Sequence, residues 1–313
     1  MIKVQSTVSP ATDALAGAVD VRPGQRLLQV AVGDRLYDSD ETVTVSGDDA
    51  YFGDPSGAPY DRIVVTGGVA GISPHWLDQL ATGGVIYAPV AHGGMHPVLA
   101  VSKRAAGPHA RPVLWADFPP ATGPLRPDAL FRHSPERVLP GPVSYRVQGG
   151  HLTLTEQTYQ DLWFFLAARD ARITRAELDD PEFDPARGCC AKREPAHGTA
   201  WIQTDGSILA AGDPNRVVAV VNLLLAQATQ WDTALGRPSL TRWQCGFRLD
   251  DLVSQPLWLP HRWQLSPSLS RVAAATDPRP RRAWGPPRPG TASPSRHRPG
   301  PVFSVPVGAT KRP

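Results

Sequence analysis

The gap between two strand-like runs near the start of the chain most constrains what it can fold into. Arg26 to Val32 (RLLQVAV) is a near-continuous apolar run, as in a strand buried on both faces of a parallel sheet. The next such run, Thr42-Val43-Thr44-Val45, begins after only nine residues, Gly33 to Glu41. A parallel crossover that carries its own helix needs roughly a dozen or more. Whatever joins these two strands therefore holds no full helix, and no further strand fits between them.

Other elements follow from local signals. Ser9-Pro10 before Ala11 to Val19 reads as an N-cap and first helical position, so a helix is expected there. Arg62 to Thr66 and Gly84 to Val90 are strand-like, with a short helix at Pro74 to Leu80 between them and a Thr82-Gly83-Gly84 return. Val98 to Val101 and Pro112 to Trp115 flank a Gly-Pro turn and suggest a hairpin. Alternating strands and helices predict an α/β region with a largely parallel sheet. Residues 119–150 are proline-rich and lack a period, as a connector would. Beyond them, Leu162 to Leu166 is a buried strand or helix core. Thr199 to Gln203 is a strand ending at a hairpin-type Asp205-Gly206 turn. Asn215 to Trp231 has helical spacing, with Val217, Val218, Val221, Leu224, Leu225 and Ala228 on one face. From about Ser266 the apolar pattern stops, and a disordered tail rich in proline and arginine is expected.

Composition narrows the class. No run approaches the roughly 20 apolar residues of a membrane span, and Met1 to Ser6 has no apolar signal region; a cytoplasmic location is the expectation. Three cysteines, Cys189, Cys190 and Cys245, argue against a disulfide framework. His197 near the adjacent pair leaves a metal site open, but buried or solvated thiols are the ordinary outcome. The net charge of +3 is concentrated in the tail. Such a tail can meet phosphate backbones non-specifically, but no recognition motif accompanies it, so no specific nucleic-acid partner is expected.

Three stretches in order resemble the protein-L-isoaspartate O-methyltransferases. The first is Gln5-Ser6-Thr7-Val8-Ser9-Pro10 with its helix and the strand from Arg26. The second is Ser46-Gly47-Asp48-Asp49. The third runs from Ala58-Pro59-Tyr60-Asp61 through Thr66, continuing from Ile72 to Gly84. Together they cover roughly residues 3–118. Trp231 to Pro238 is similar to a stretch of long actinobacterial variants, some of which modify ribosomally made peptides.

The resemblance implies an S-adenosylmethionine-dependent enzyme that methylates the free α-carboxylate of an isoaspartyl residue in a protein or peptide, a protein-repair reaction. It implies Ser9 and Thr7 as the hydroxyls that hold the carboxylate, and Gly33, Asp48 and Asp49 as cofactor-side residues. A helix cap (Ser9) and turn aspartates (Asp48, Asp49) are the bland alternatives. The pattern departs from the family at the end of the first strand. Gln29 stands where the family has an acidic residue, and only Gly33 remains of its Gly-x-Gly-x-Gly loop. The expected fold is therefore an incomplete Rossmann-like methyltransferase sheet (1–118), a connector (119–150), a small α+β region (151–265) and a disordered tail (266–313). The competing function is a non-catalytic descendant that binds a peptide or partner.

Overall fold

In the computed structural model the described residues are 9–32, 35–37, 43–45, 49–147, 152–178, 188–251 and 254–266. Thr7, Gly33, Asp48 and nearly all of the expected tail lie outside them. The described residues form one compact unit.

The first helix, α1 (Pro10–Ala18), begins where expected. The Ser9 side chain accepts from Thr12 N, and Pro10 occupies the first turn. Strands β1 (Leu27–Val30), β2 (Val43–Val45), β3 (Tyr60–Val65) and β4 (Leu80–Pro89) follow, with α2 (Pro74–Asp78) between β3 and β4. β1 pairs in parallel with β2 on one side and β3 on the other, and β3 pairs in parallel with β4. β2 thus lies directly against β1. The predicted hairpin is β5 (Val98–Arg104) and β6 (Gly107–Leu114), antiparallel to each other and continuing from β4.

Alternation along these strands sets two cores. Leu27, Val64, Tyr87, Val98 and Ala100 share one cluster with Leu15 of α1 and with Val19, which caps it. Their neighbours Leu28, Ile63, Val65, Ile86, Ala88, Leu99 and Val101 share another with Trp76 of α2. Successive strand side chains point to opposite faces, so each face carries its own helix. Trp76 is fully buried and its Nε1 donates to Ala50 O at 3.0 Å.

The stretch expected as a connector contains α3 (Asp128–Phe131) and the short strands β7 (Arg137–Val138) and β8 (Tyr145–Val147). These two edge a second sheet. After α4 (Glu156–Arg169) come β9 (Ile173–Ala176), β10 (Cys189–Glu194), β11 (Gly198–Ile202) and β12 (Ile208–Ala211), then α5 (Pro214–Thr229). The six-stranded order is β7-β9-β10-β11-β12-β8, antiparallel except for β7 with β9. Leu162 to Leu166 resolve as helix: α4 is capped by Thr155 in a capping box with Thr158. On α5 the buried face is Val217, Val220, Val221, Leu224 and Ala228. Val220 replaces the predicted Val218 and Leu225, because the 100° step from Val217 and Val221 carries position 220 inward and leaves Leu225 37% exposed. The Trp231 to Pro238 stretch closes the end of α5. Trp231 is fully buried, and Arg237 pairs with Asp232 at 2.6 Å while its guanidinium lies over the Trp231 ring.

The last strands return to the first sheet. β13 (Trp243–Asp250) pairs with β6, and β14 (Leu257–Leu265) pairs with β13, giving the eight-stranded order β14-β13-β6-β5-β4-β3-β1-β2. Residues 243–265, expected within the second region, are therefore an edge of the first sheet. Trp243 also enters the core under α4 and α5, so the two sheets share apolar contacts.

Gly94 shows how tight that junction is. Its φ is +82°, and a Cβ there would sit 2.2 Å from Glu136 O and 2.5 Å from Arg175 N, both backbone atoms. We expect Gly94→Ala to cost about 3 kcal/mol or more in urea denaturation, from left-handed strain and displaced backbone together. Gly141→Ala, with open space around it, should stay within about 0.5 kcal/mol.

Candidate functional site

Ligands of open α/β sheets bind outside the carboxyl ends of the parallel strands. Here that edge is formed by the residues after β1, β3 and β4. Gln29 on β1 is fully buried. Its Oε1 accepts from Leu36 N at 2.9 Å and from Tyr37 N at 2.8 Å, so it holds the segment after β1 against the strand. Val32 packs so closely on Gly67, at the end of β3, that a Cβ on Gly67 would lie 2.7 Å from the Val32 side chain. In place of an acid and an open glycine loop, the described residues put an inward amide and a valine.

The expected site residues divide. Ser9 is half-buried at the N-terminus of α1, and its Oγ lies 2.9 Å from Thr12 Oγ1. Asp49 is exposed and accepts from Tyr51 N at 3.0 Å, the bond of an Asx turn. Thr7, Gly33 and Asp48 lie outside the described residues. The three thiols are buried, and burial pushes Cys189 and Cys245 up to about 12.

A second constellation was not singled out from the sequence. The loop between β4 and β5 reads Ala91-His92-Gly93-Gly94-Met95-His96. His96 is 2% exposed and lies between two carboxylates, its Nδ1 3.2 Å from Asp117 and its Nε2 3.2 Å from Glu136. Asp117 also meets Arg175 of β9, and Glu136 meets Arg126 at 2.6 Å. Burial alone would push His96 down. Its bonds to Asp117 and Glu136, with their charges, outweigh that and raise it. Burial alone would raise both carboxyls, but His96 and the arginines hold them below their ordinary values. His92 is the opposite case. Burial pushes it down to about 4, against a weaker upward pull from Phe164 O, which its Nε2 meets at 3.1 Å. The sequence signal was two histidines around a Gly-Gly turn at the end of a parallel strand.

The described N-terminal region is thus an α/β sheet with its ligand edge at the ends of β1, β3 and β4. Residues 16–121 match the family described as protein-L-isoaspartate(D-aspartate) O-methyltransferase (PCMT). The protein-L-isoaspartate O-methyltransferase of Halorhodospira halophila is 38% identical over 72 residues, which are 23% of this chain and 33% of that protein. That of Opitutus terrae is 38% identical over 76 residues, 24% of this chain and 32% of that protein. The chain therefore spans about a third of the length of these relatives. A solved structure called protein-L-isoaspartate O-methyltransferase aligns with 72% of this chain and 60% of its own at 22% identity and a TM-score of 0.30. No described helix is long and apolar enough to cross a membrane.

The titrations have a defined sign. His96, raised above 6.5, contributes stability that is present below that value and lost as pH rises through its folded pKa. His92, lowered to about 4, contributes stability present above 6.5 and lost as pH falls through about 4. Denaturation followed from about pH 5 to about pH 9 should show a decline on the alkaline side. In His96→Gln that decline should vanish, with lower stability at the acid end of the range. An unchanged alkaline decline in the variant would assign it to another group.

Proposed function

We propose that this chain is a protein-L-isoaspartate O-methyltransferase-like protein. In this proposal it acts on the α-carboxylate of an isoaspartyl residue in a protein or peptide, with S-adenosylmethionine as methyl donor. Work in the cytoplasm on damaged proteins belongs to the same proposal. The observation that carries it is the family match over residues 16–121, which runs from the last turn of α1 through the parallel strands and the hairpin.

The described residues do not fit the donor in the family's way. The acid's position holds Gln29, whose acceptor is committed to Leu36 and Tyr37. Val32 fills the space over Gly67. No step is therefore derived through the donor. What α1 offers is a place for the acceptor. A carboxylate is already a nucleophile at neutral pH, so no strong base is needed, and the protein's part is positioning and exclusion of water. The N-terminus of α1 carries partial positive charge, which favours a carboxylate. In the proposal the Ser9 hydroxyl donates to it with Thr7 beside it, and Gly33, Asp48 and Asp49 face the donor.

The test is methyl transfer from labelled S-adenosylmethionine to an isoaspartyl peptide. A base-labile methyl ester should form. Ser9→Asp keeps a helix cap but places a negative charge against the substrate, so it should raise KM about tenfold or more with the fold intact. No ester from the folded chain, together with no binding of S-adenosylmethionine or S-adenosylhomocysteine in calorimetry, would overturn the proposal.

A further inference from the structure

A cleft of about 460 Å³ opens beside the β4–β5 loop, within the roughly 300–1,000 Å³ common for small-molecule sites. Its walls come from both sheets: His92, Gly93 and Gly94 after β4, Phe131 and Glu136 before β7, the end of α4 at Ala167 to Ala171, and Leu259, Pro260 and Trp263 of β14. We propose that this cleft binds the free carboxylate end of an acylated apolar amino acid, or of a peptide whose last residue is apolar. The proposal does not use the methyl donor and goes beyond the methyl-transfer reading.

Three observations specify the ligand. The first is an acceptor. A backbone carbonyl only accepts, so the His92 nitrogen facing Phe164 O, Nε2, carries the hydrogen. Nδ1 then keeps a lone pair, and no described group donates to it. The ring is 9% exposed and lines the cleft. Burial keeps it neutral at physiological pH, so it calls for an N–H or O–H donor on the ligand. An acyl amide supplies one.

The second observation is charge. Two carboxylates line the cleft and both are occupied: Glu136 with His96 and Arg126, Asp170 with Lys192 and Arg172. Arg169 also lines it, is exposed, and meets no carboxylate among the described residues. Its guanidinium lies over the Phe165 ring, 5.2 Å from the centroid. The charge left for a ligand is positive, and a planar fork of donors suits a carboxylate.

The third is the apolar body. The Trp263 ring lies 5.0 Å from that of His92, and Ile173, Leu259 and Phe131 complete the wall. An amide N–H, an apolar side chain and a carboxylate on one carbon are the parts of an acylated apolar residue.

The probe is N-acetyl-L-phenylalanine, titrated into the full chain by calorimetry, with its C-terminal amide as control. The acid should bind about tenfold more tightly than the amide, the size of one charge-assisted hydrogen bond. Arg169→Gln, on the surface, should erase that difference. His92→Phe, verified by circular dichroism, should weaken acid and amide alike. A peptide ending in phenylalanine that binds at least as well assigns the site to chain ends; weaker peptide binding assigns it to free acyl amino acids. Equal binding of acid and amide, a preference that survives Arg169→Gln, or no binding of either would overturn the proposal, whether or not His92→Phe folds. Isoaspartyl methylation is read separately, so either proposal can fail alone.

Discussion

Two sheets of different construction meet around one six-residue loop, Ala91 to His96. Both regions fix it: Ala91 N donates to Val69 O and His96 N to Ala116 O in the first, and the second supplies further contacts. His92 is bound by Phe164 O, and Gly93 O accepts from Trp163 Nε1 at 2.8 Å. Gly94 fits against the backbone of Glu136 and Arg175, Met95 enters the core beneath α4, and His96 sits between Asp117 and Glu136. Breaking a buried ion pair by removing one partner typically costs about 3–5 kcal/mol, because the other charge is stranded. A network of this kind is costly to open part-way, so it couples the sheets. Trp243 and Trp263, reaching from the first sheet toward the second core, add apolar contact to the same junction.

The same geometry explains the contrast between the two carboxyl-side regions. At the ends of β1 and β3 the described residues pack closely, the Gln29 amide holding Leu36 and Tyr37 and Val32 lying on Gly67. At the end of β4 the loop stands against α4 and β14, and a cleft remains.

Much of the first region was legible because its signals are local. The N-cap at Ser9, the apolar run of β1 and the hairpin of β5 and β6 are each written in a few neighbouring residues. β2 pairs with β1, while most of the nine-residue gap that argued against an intervening helix lies outside the described residues. What the sequence hid was long-range. Nothing in Trp243 to Leu265 says that these strands cross back to β6, since strand pairing carries no local code. β7 and β8 are two and three residues long, too short for a period to show among prolines. The histidines of the β4–β5 loop gain their character from Asp117, Glu136 and Phe164, which are 21 to 72 residues away in sequence. Of the expected site residues, Ser9 caps α1 and Asp49 makes a turn, roles that local chemistry already implied.

The central claim is that the β4–β5 loop makes the two sheets one cooperative unit. Hydrogen exchange measured by mass spectrometry under increasing denaturant tests it most directly, with peptides from β3 and β4 compared with peptides from β10 and β11. Loss of protection in both sets at the same denaturant concentration is the predicted result. Opening of the second sheet while β3 and β4 stay protected would contradict the claim.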